Sequence, residues 1–139
     1  MSDIIQLANA IYGEGANQPY EVMKMIGSSA INRVRSGRAS EFGSNMGEVL
    51  NKGYYAVSNP NQPYKEAVSG KFGSPEAENK YKQAVAIASG LMKGTIEPDE
   101  GEFYFTDKEI QKLKRNKKSF DFKKVSEVGK TGPYRVFKY

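Results

Sequence analysis

Apolar positions recur at three- and four-residue intervals from the start of the chain. Ile4, Leu7, Ala8 and Ile11 share one face of a helix that Ser2 or Asp3 can cap, and Gly13 is expected to end it. A second helix is predicted from Pro19, taken as its first helical residue with Glu21 at the third position, to about Arg35, just before Gly37. Val22, Ile26, Ala30 and Val34 lie four apart along it, and the small residues Gly27, Ser28 and Ser29 at its middle would let a neighbouring backbone approach closely. A short third helix fits Met46 to about Lys52, with Asn45 as cap and Glu48 as its reciprocal partner. The fragments "NQPYE" at Asn17 and "NQPYKE" at Asn61 resemble a repeat only briefly, and each reads as a helix start.

Ser74-Pro75-Glu76 opens the clearest helix. Its stripe is Ala77, Tyr81, Ala84, Val85, Ala88, Leu91 and Met92, and Gly94 closes it. The period then changes. A turn at residues 97–101 leads into Glu102-Phe103-Tyr104-Phe105-Thr106, an aromatic-rich strand, and a Gly-Pro turn feeds a final strand from Tyr134 to Tyr139 that can pair with it. Between them, Lys108 to Lys118 fits a lysine-rich surface helix. No linker or low-complexity segment divides the 139 residues. The expectation is a single α+β domain, mostly helical, with a small antiparallel sheet in the C-terminal half.

Composition narrows the chemistry. The sequence has no cysteine and no histidine, so disulfides, thiol nucleophiles, Ser-His-Asp triads and histidine- or cysteine-ligated zinc are all outside its reach. Carboxylates, tyrosine, lysine, hydroxyls and the backbone are left. No cofactor and no metal are expected. The opening "MSDIIQLANAIYGEG" lacks the marks of a secretory signal and no segment is long and apolar enough for a bilayer, which predicts synthesis in the cytoplasm without membrane insertion. A net charge of +5 suits an anionic partner such as nucleic acid, an acidic membrane surface or an envelope polymer, or merely a solvated surface.

One carboxylate stands out. Glu14 follows Gly13 at the expected end of the first helix, where unpaired carbonyls carry partial negative charge. That field, with some burial, disfavours ionisation and suits a general acid. The competing reading is a glutamate exposed in a loop.

The segment "GEGANQPYE" and the following helix that ends in Asn32-Arg33-Val34 resemble the SleB/CwlJ family of cell-wall hydrolases, a family related to the lysozyme-like fold. Gly13, Glu14, Pro19, Tyr20 and Glu21 fall in register with its G-E-A-R-G-E-P-Y-E-G-Q motif, as does the N-R-V that follows. Looser similarity continues through Met46 to Val57, Ala88 to Phe105, Val128-Gly129 and Val136-Phe137. Ala16, Gln18 and Met23 depart from the motif, and Arg135 stands where the family's closing histidine would be.

The resemblance implies cleavage of peptidoglycan glycan strands between N-acetylmuramic acid and N-acetylglucosamine, most often as a lytic transglycosylase, with Glu14 as acid and base. A hydrolase normally needs a second carboxylate at a defined separation. Glu21, Glu48 and Glu102 are present, but Glu21 reads better as a helix-start residue and no spacing recommends the others. Tyr54, Tyr55 and Tyr104, with Thr106 just after and Asn32 in the N-R-V segment, are the candidates for substrate contact, Tyr104 first; core packing is the alternative for each tyrosine. The implied partner is the glycan strand, met by a monomer, in the setting of a phage lysis or virion-associated enzyme. A different class, a nucleic-acid-binding module, would use Lys108 to Lys124 for phosphates and Phe120 or Phe122 for stacking. The cluster Lys112, Lys114, Arg115, Lys117 and Lys118 otherwise serves solubility.

Overall fold

A computed structural model describes residues 2–116 and 119–139, and Lys117 and Lys118 of the basic cluster lie outside them. Eight α-helices, one 3-10 turn (Phe122–Lys124) and a three-stranded antiparallel sheet make up the described fold. The helices are α1 (Asp3–Gly15), α2 (Tyr20–Arg35), α3 (Ala39–Phe42), α4 (Met46–Gly53), α5 (Tyr55–Ser58), α6 (Gln62–Ser69), α7 (Pro75–Lys93) and α8 (Asp107–Arg115). The strands are β1 (Phe103–Thr106), β2 (Ser126–Thr131) and β3 (Tyr134–Lys138), and they lie in the order β1-β3-β2. The expected α+β class, mostly helical with a small sheet late in the chain, is what the structure has.

Helix α1 is the axis of the helical part. Every residue from Leu7 to Gly13 is buried, including Asn9, because α2, α4, α5, α6 and α7 all pack around it. The hydroxyl of Tyr81 on α7 donates to the Asn9 side-chain oxygen at 2.7 Å, so this buried amide is matched. The same core runs on into the sheet through Phe103, Val136 and Phe137.

The end of α1 corrects the sequence expectation. Gly13 does not terminate the helix, which continues through Glu14 to Gly15. The reason is packing. A Cβ on Gly13 would stand 3.0 Å from the Cβ atoms of both Ala56 and Tyr64, and one on Gly15 would stand 2.9 Å from Ile26 Cδ1. These glycines exist for close approach, and their freedom to break a helix is unused. Pro19 likewise sits one position earlier than expected, as the N-cap of α2.

Other start signals behave as the side chains dictate. Ser2, Asn45, Asn61 and Ser74 each accept a backbone N–H as caps of α1, α4, α6 and α7. Glu48 bonds the Ser44 hydroxyl at 3.1 Å instead of closing a reciprocal box with Asn45. At the middle of α2 the close neighbours of Gly27 are side chains, Leu91 and Ile11, and not a backbone. Ser28 accepts from Asp99 N at 2.9 Å, and Ser29 donates to Ile26 O at 2.7 Å.

The sheet has two unlike faces. β1 and β3 pair with Thr106 opposite Tyr134 and Tyr104 opposite Val136. Alternation therefore puts Tyr104, Thr106, Tyr134 and Val136 on one side and Phe103, Phe105, Arg135 and Phe137 on the other. The second side meets Phe120 and Phe122 in a run of edge-to-face contacts. Strand β2, with its irregularity between Glu127 and Gly129, has no counterpart in the sequence reading.

Gly13→Ala tests the packing explanation. It gains about 1 kcal/mol of helix propensity, while overpacking of this kind costs about 1–3 kcal/mol. The close contacts are with Cβ atoms, which cannot rotate away, so a net loss of up to about 2 kcal/mol is expected as a lower denaturant midpoint. A variant more stable than the parent would show that Gly13 has room.

Candidate active site

Glu14 leaves the last turn of α1 between two buried glycines, and is itself only partly buried. Its Oε1 accepts the backbone N–H of Ala56 at 3.0 Å. Ala56 lies in the first turn of α5, where amides have no partner within the helix, so the short helix offers a ready donor. Asn61 secures the same corner from α6. Its side-chain nitrogen donates to the Gly13 carbonyl at 2.7 Å while its oxygen caps Tyr64 N at 2.9 Å, joining the end of α1 to the start of α6.

The proton affinity of the Glu14 carboxyl is raised. Burial is the largest cause, the Ala56 N–H opposes it, the carboxylate of Glu109 adds to it and the guanidinium of Arg33 subtracts from it. Burial, more than the end of the helix, therefore dominates. Three phenols belong to the same electrostatic neighbourhood: Tyr54, Tyr104 and Tyr134 are all raised, by burial first and also by the charge of Glu14. They stay protonated and can act as hydroxyl donors.

The predicted contact residues separate into distinct groups. Tyr104 is half-buried and meets the Tyr134 ring edge-on, centroids 5.5 Å apart. Thr106 lies opposite Tyr134, but its hydroxyl is occupied in capping α8, accepting Glu109 N at 3.2 Å. Tyr55 is 73% exposed, one residue from the amide that holds Glu14, and its hydroxyl accepts the Asn59 side-chain amide. One expectation needs correction, and one candidate has a structural duty. Tyr54 is 2% exposed with its hydroxyl against Ser29, so it is a core residue with no ring face to offer a sugar. Asn32 spends its amide on the carbonyls of Asp99 and Gly101, at 2.8 and 2.9 Å, and fastens the loop before β1.

Of the other carboxylates, Glu48 serves the start of α4, and Glu102 accompanies Arg33 at the edge of the sheet, where Arg33 Nε donates to the Glu102 carbonyl at 2.7 Å. The Arg33 guanidinium also lies 5.1 to 5.2 Å from the ring centroids of Tyr54, Phe42 and Phe103. The carboxylate that does act on Glu14 is Glu109, which the sequence reading passed over. Its signal was present in "TDKE", the spacing of a capping box, which forms here between Thr106 and Glu109. Tyr134 and Ala56 N had no local signal.

Surface cavities of about 190 to 580 Å³ lie elsewhere on the molecule, and one of about 230 Å³ is lined in part by Asn32 and Glu102. The one of about 580 Å³ lies beside α8, between Leu113, Lys114, Phe120 and Phe122. Both of these phenylalanines are half-buried in the aromatic cluster, and Lys114 Nζ sits 5.6 Å from the Phe122 centroid. Among the described residues no group of three acidic side chains has a metal-binding arrangement, and no helix is long and apolar enough to cross a membrane. Comparisons with protein-family models, curated proteins and solved structures gave no match.

The sign of the Glu14 shift gives a stability prediction. An acid that binds its proton more tightly folded than unfolded stabilises the fold fully below its unfolded pKa, and that contribution is lost as pH rises through the folded value. Glu14→Gln keeps an oxygen for Ala56 N–H and removes the charge. Its Tm should exceed the parent's near neutral pH, and the gain should vanish below the ordinary value of 4.5. A Tm difference independent of pH in thermal scans would contradict this.

Proposed function

We propose that this protein cleaves the glycan strands of peptidoglycan between N-acetylmuramic acid and N-acetylglucosamine, as a lysozyme-like lytic transglycosylase with Glu14 as both acid and base. The observation that carries the reading is a single partly buried carboxyl, raised in proton affinity and oriented by one backbone amide. The resemblance of the Gly13–Glu21 segment to SleB/CwlJ enzymes supports it.

Glu14 as the acid gives its proton to the glycosidic oxygen while the bond from C1 of the muramic residue breaks, and the N-acetylglucosamine leaves with a free hydroxyl. Glu14 as carboxylate then takes the proton from the 6-hydroxyl of the same muramic residue, whose oxygen bonds to C1 and closes a 1,6-anhydro ring. Both states of the carboxyl are needed. Burial favours the acid, and the Ala56 N–H favours the carboxylate. Tyr104, a half-buried residue, and Tyr55, through its exposed ring, are the residues assigned to sugar contact. A phage lysis or virion-associated role fits a small lytic domain with a basic surface.

Digestion of purified peptidoglycan followed by mass analysis tests the reading. Fragments with anhydro-muramic ends are expected, whereas reducing ends heavier by one water would mean hydrolysis. General acid–base groups contribute about 10²–10⁴-fold, so Glu14→Gln should lower the rate by at least about 100-fold with the fold intact. A Glu14→Gln variant that clears walls at a rate close to the parent's would refute the assignment.

A further inference from the structure

The fragment Asn61-Gln62-Pro63-Tyr64 opens α6, and it also docks that helix on the residue before Glu14. The Gly13 carbonyl is one of the last four of α1, which a helix leaves without internal donors. Asn61 Nδ2 donates to it at 2.7 Å, while Asn61 Oδ1 accepts Tyr64 N at 2.9 Å. One end of the side-chain amide is therefore a cap and the other a grip. The gripped carbonyl belongs to the peptide bond that carries Glu14. A Cβ on Gly13 would stand 3.0 Å from the Cβ atoms of Ala56 and Tyr64, so residues on both sides of Asn61 bear on the same glycine. The other copy of the fragment works differently: Asn17 is exposed, and α2 starts at Pro19 without a side-chain cap.

Residues 54–61 form a strap fixed at two points. Tyr54 holds one end in the core, its hydroxyl bonded to that of Ser29. Asn61 holds the other end on α1. Ala56, whose N–H donates to Glu14 Oε1 at 3.0 Å, lies between them, and Asn59 N closes α5 on the Tyr55 carbonyl at 2.8 Å. We propose that Asn61 is a positioning residue for the reaction assigned to Glu14, gripping the peptide bond before the glutamate so that its carboxyl and the Ala56 amide stay in register. The proposal rests on the reading of Glu14 as the acid. Asn61 touches no reacting atom in it. Its effect is on direction, because a hydrogen bond weakens steeply as its angle departs from linear. Without the second anchor, the strap no longer fixes that angle at Ala56.

Asn61→Ser separates the grip from the cap. Serine caps a helix about as well as asparagine, but its hydroxyl ends one bond short of the Gly13 carbonyl. In the parent, the Ala56 amide proton resonance should follow the titration of Glu14, and Glu14→Gln should abolish that response. In Asn61→Ser most of the pH-dependent shift should be lost, with unchanged α7 resonances showing that the fold is kept. A response equal to the parent's overturns the proposal. Should the serine variant fail to fold, Asn61→Asp is read in the same way, since it keeps the cap and has no N–H to donate. Failure of both variants to fold would make Asn61 a structural residue and overturn the proposal as well.

Activity on peptidoglycan provides the catalytic side. Misplacing a catalytic group costs rate more than binding, so Asn61→Ser should lower kcat about 10- to 100-fold with KM within about twofold of the parent's. A lower Tm with kcat unchanged would indicate a merely structural role and sink the inference. A parent without glycan-cleaving activity sinks the functional reading, and the Ala56 resonance still decides whether Asn61 holds Glu14 in place.

Discussion

Everything in the site depends on α1 being enclosed on all sides. A helix surrounded by five others cannot turn or slide without breaking packing along its whole length, so the residue at its exit is fixed in direction as well as place. Leu7, Ile11 and their buried neighbours do this work far from any chemistry. The two glycines beside Glu14 let α2, α5 and α6 come close enough to bury part of the carboxyl while its remaining surface stays open. Proton affinity at that position follows from packing, and only secondarily from nearby charge.

The sheet sorts its side chains by a different principle. Strict alternation sends phenylalanines to one side, where they form a second apolar cluster with Phe120 and Phe122, and tyrosines with Thr106 to the other. The hydroxyl-bearing side is the one whose Tyr104 and Tyr134 lie within the field of Glu14. A short strand therefore sorts structural from polar aromatics without any further device. The capping box of α8 then ties an acidic residue to the strand end.

Much of the fold was legible where local chemistry decides it. Ser74-Pro75 and Gly94 bracket α7, Asn45 and Asn61 start α4 and α6, and the alternation in "EFYFT" gives β1. The misreadings share one cause. Gly13 ends a helix by propensity and continues one here because Ala56 and Tyr64 lie against it, and these are distant in sequence. Strand β2 is mostly exposed, with a glycine and a lysine near its middle, so it lacks the apolar rhythm that would announce it. Glu14 could be singled out from its neighbours in the chain. Its partners could not, since Ala56 N, Tyr134 and Glu109 arrive through a helix start, a strand register and a cap that only the assembled fold brings together.

The alternation Gly13-Glu14-Gly15 at the mouth of α1 has a consequence for how such a chain can vary. Successive residues of a helix point about 100° apart, so inserting or deleting one residue upstream would swing the carboxyl toward α2 or α6 and bring a glycine into its place. Loops between the other helices, apart from the α5–α6 connection, can lengthen without reaching this point. The body of α1 cannot, and drift in chain length during evolution must be absorbed outside it.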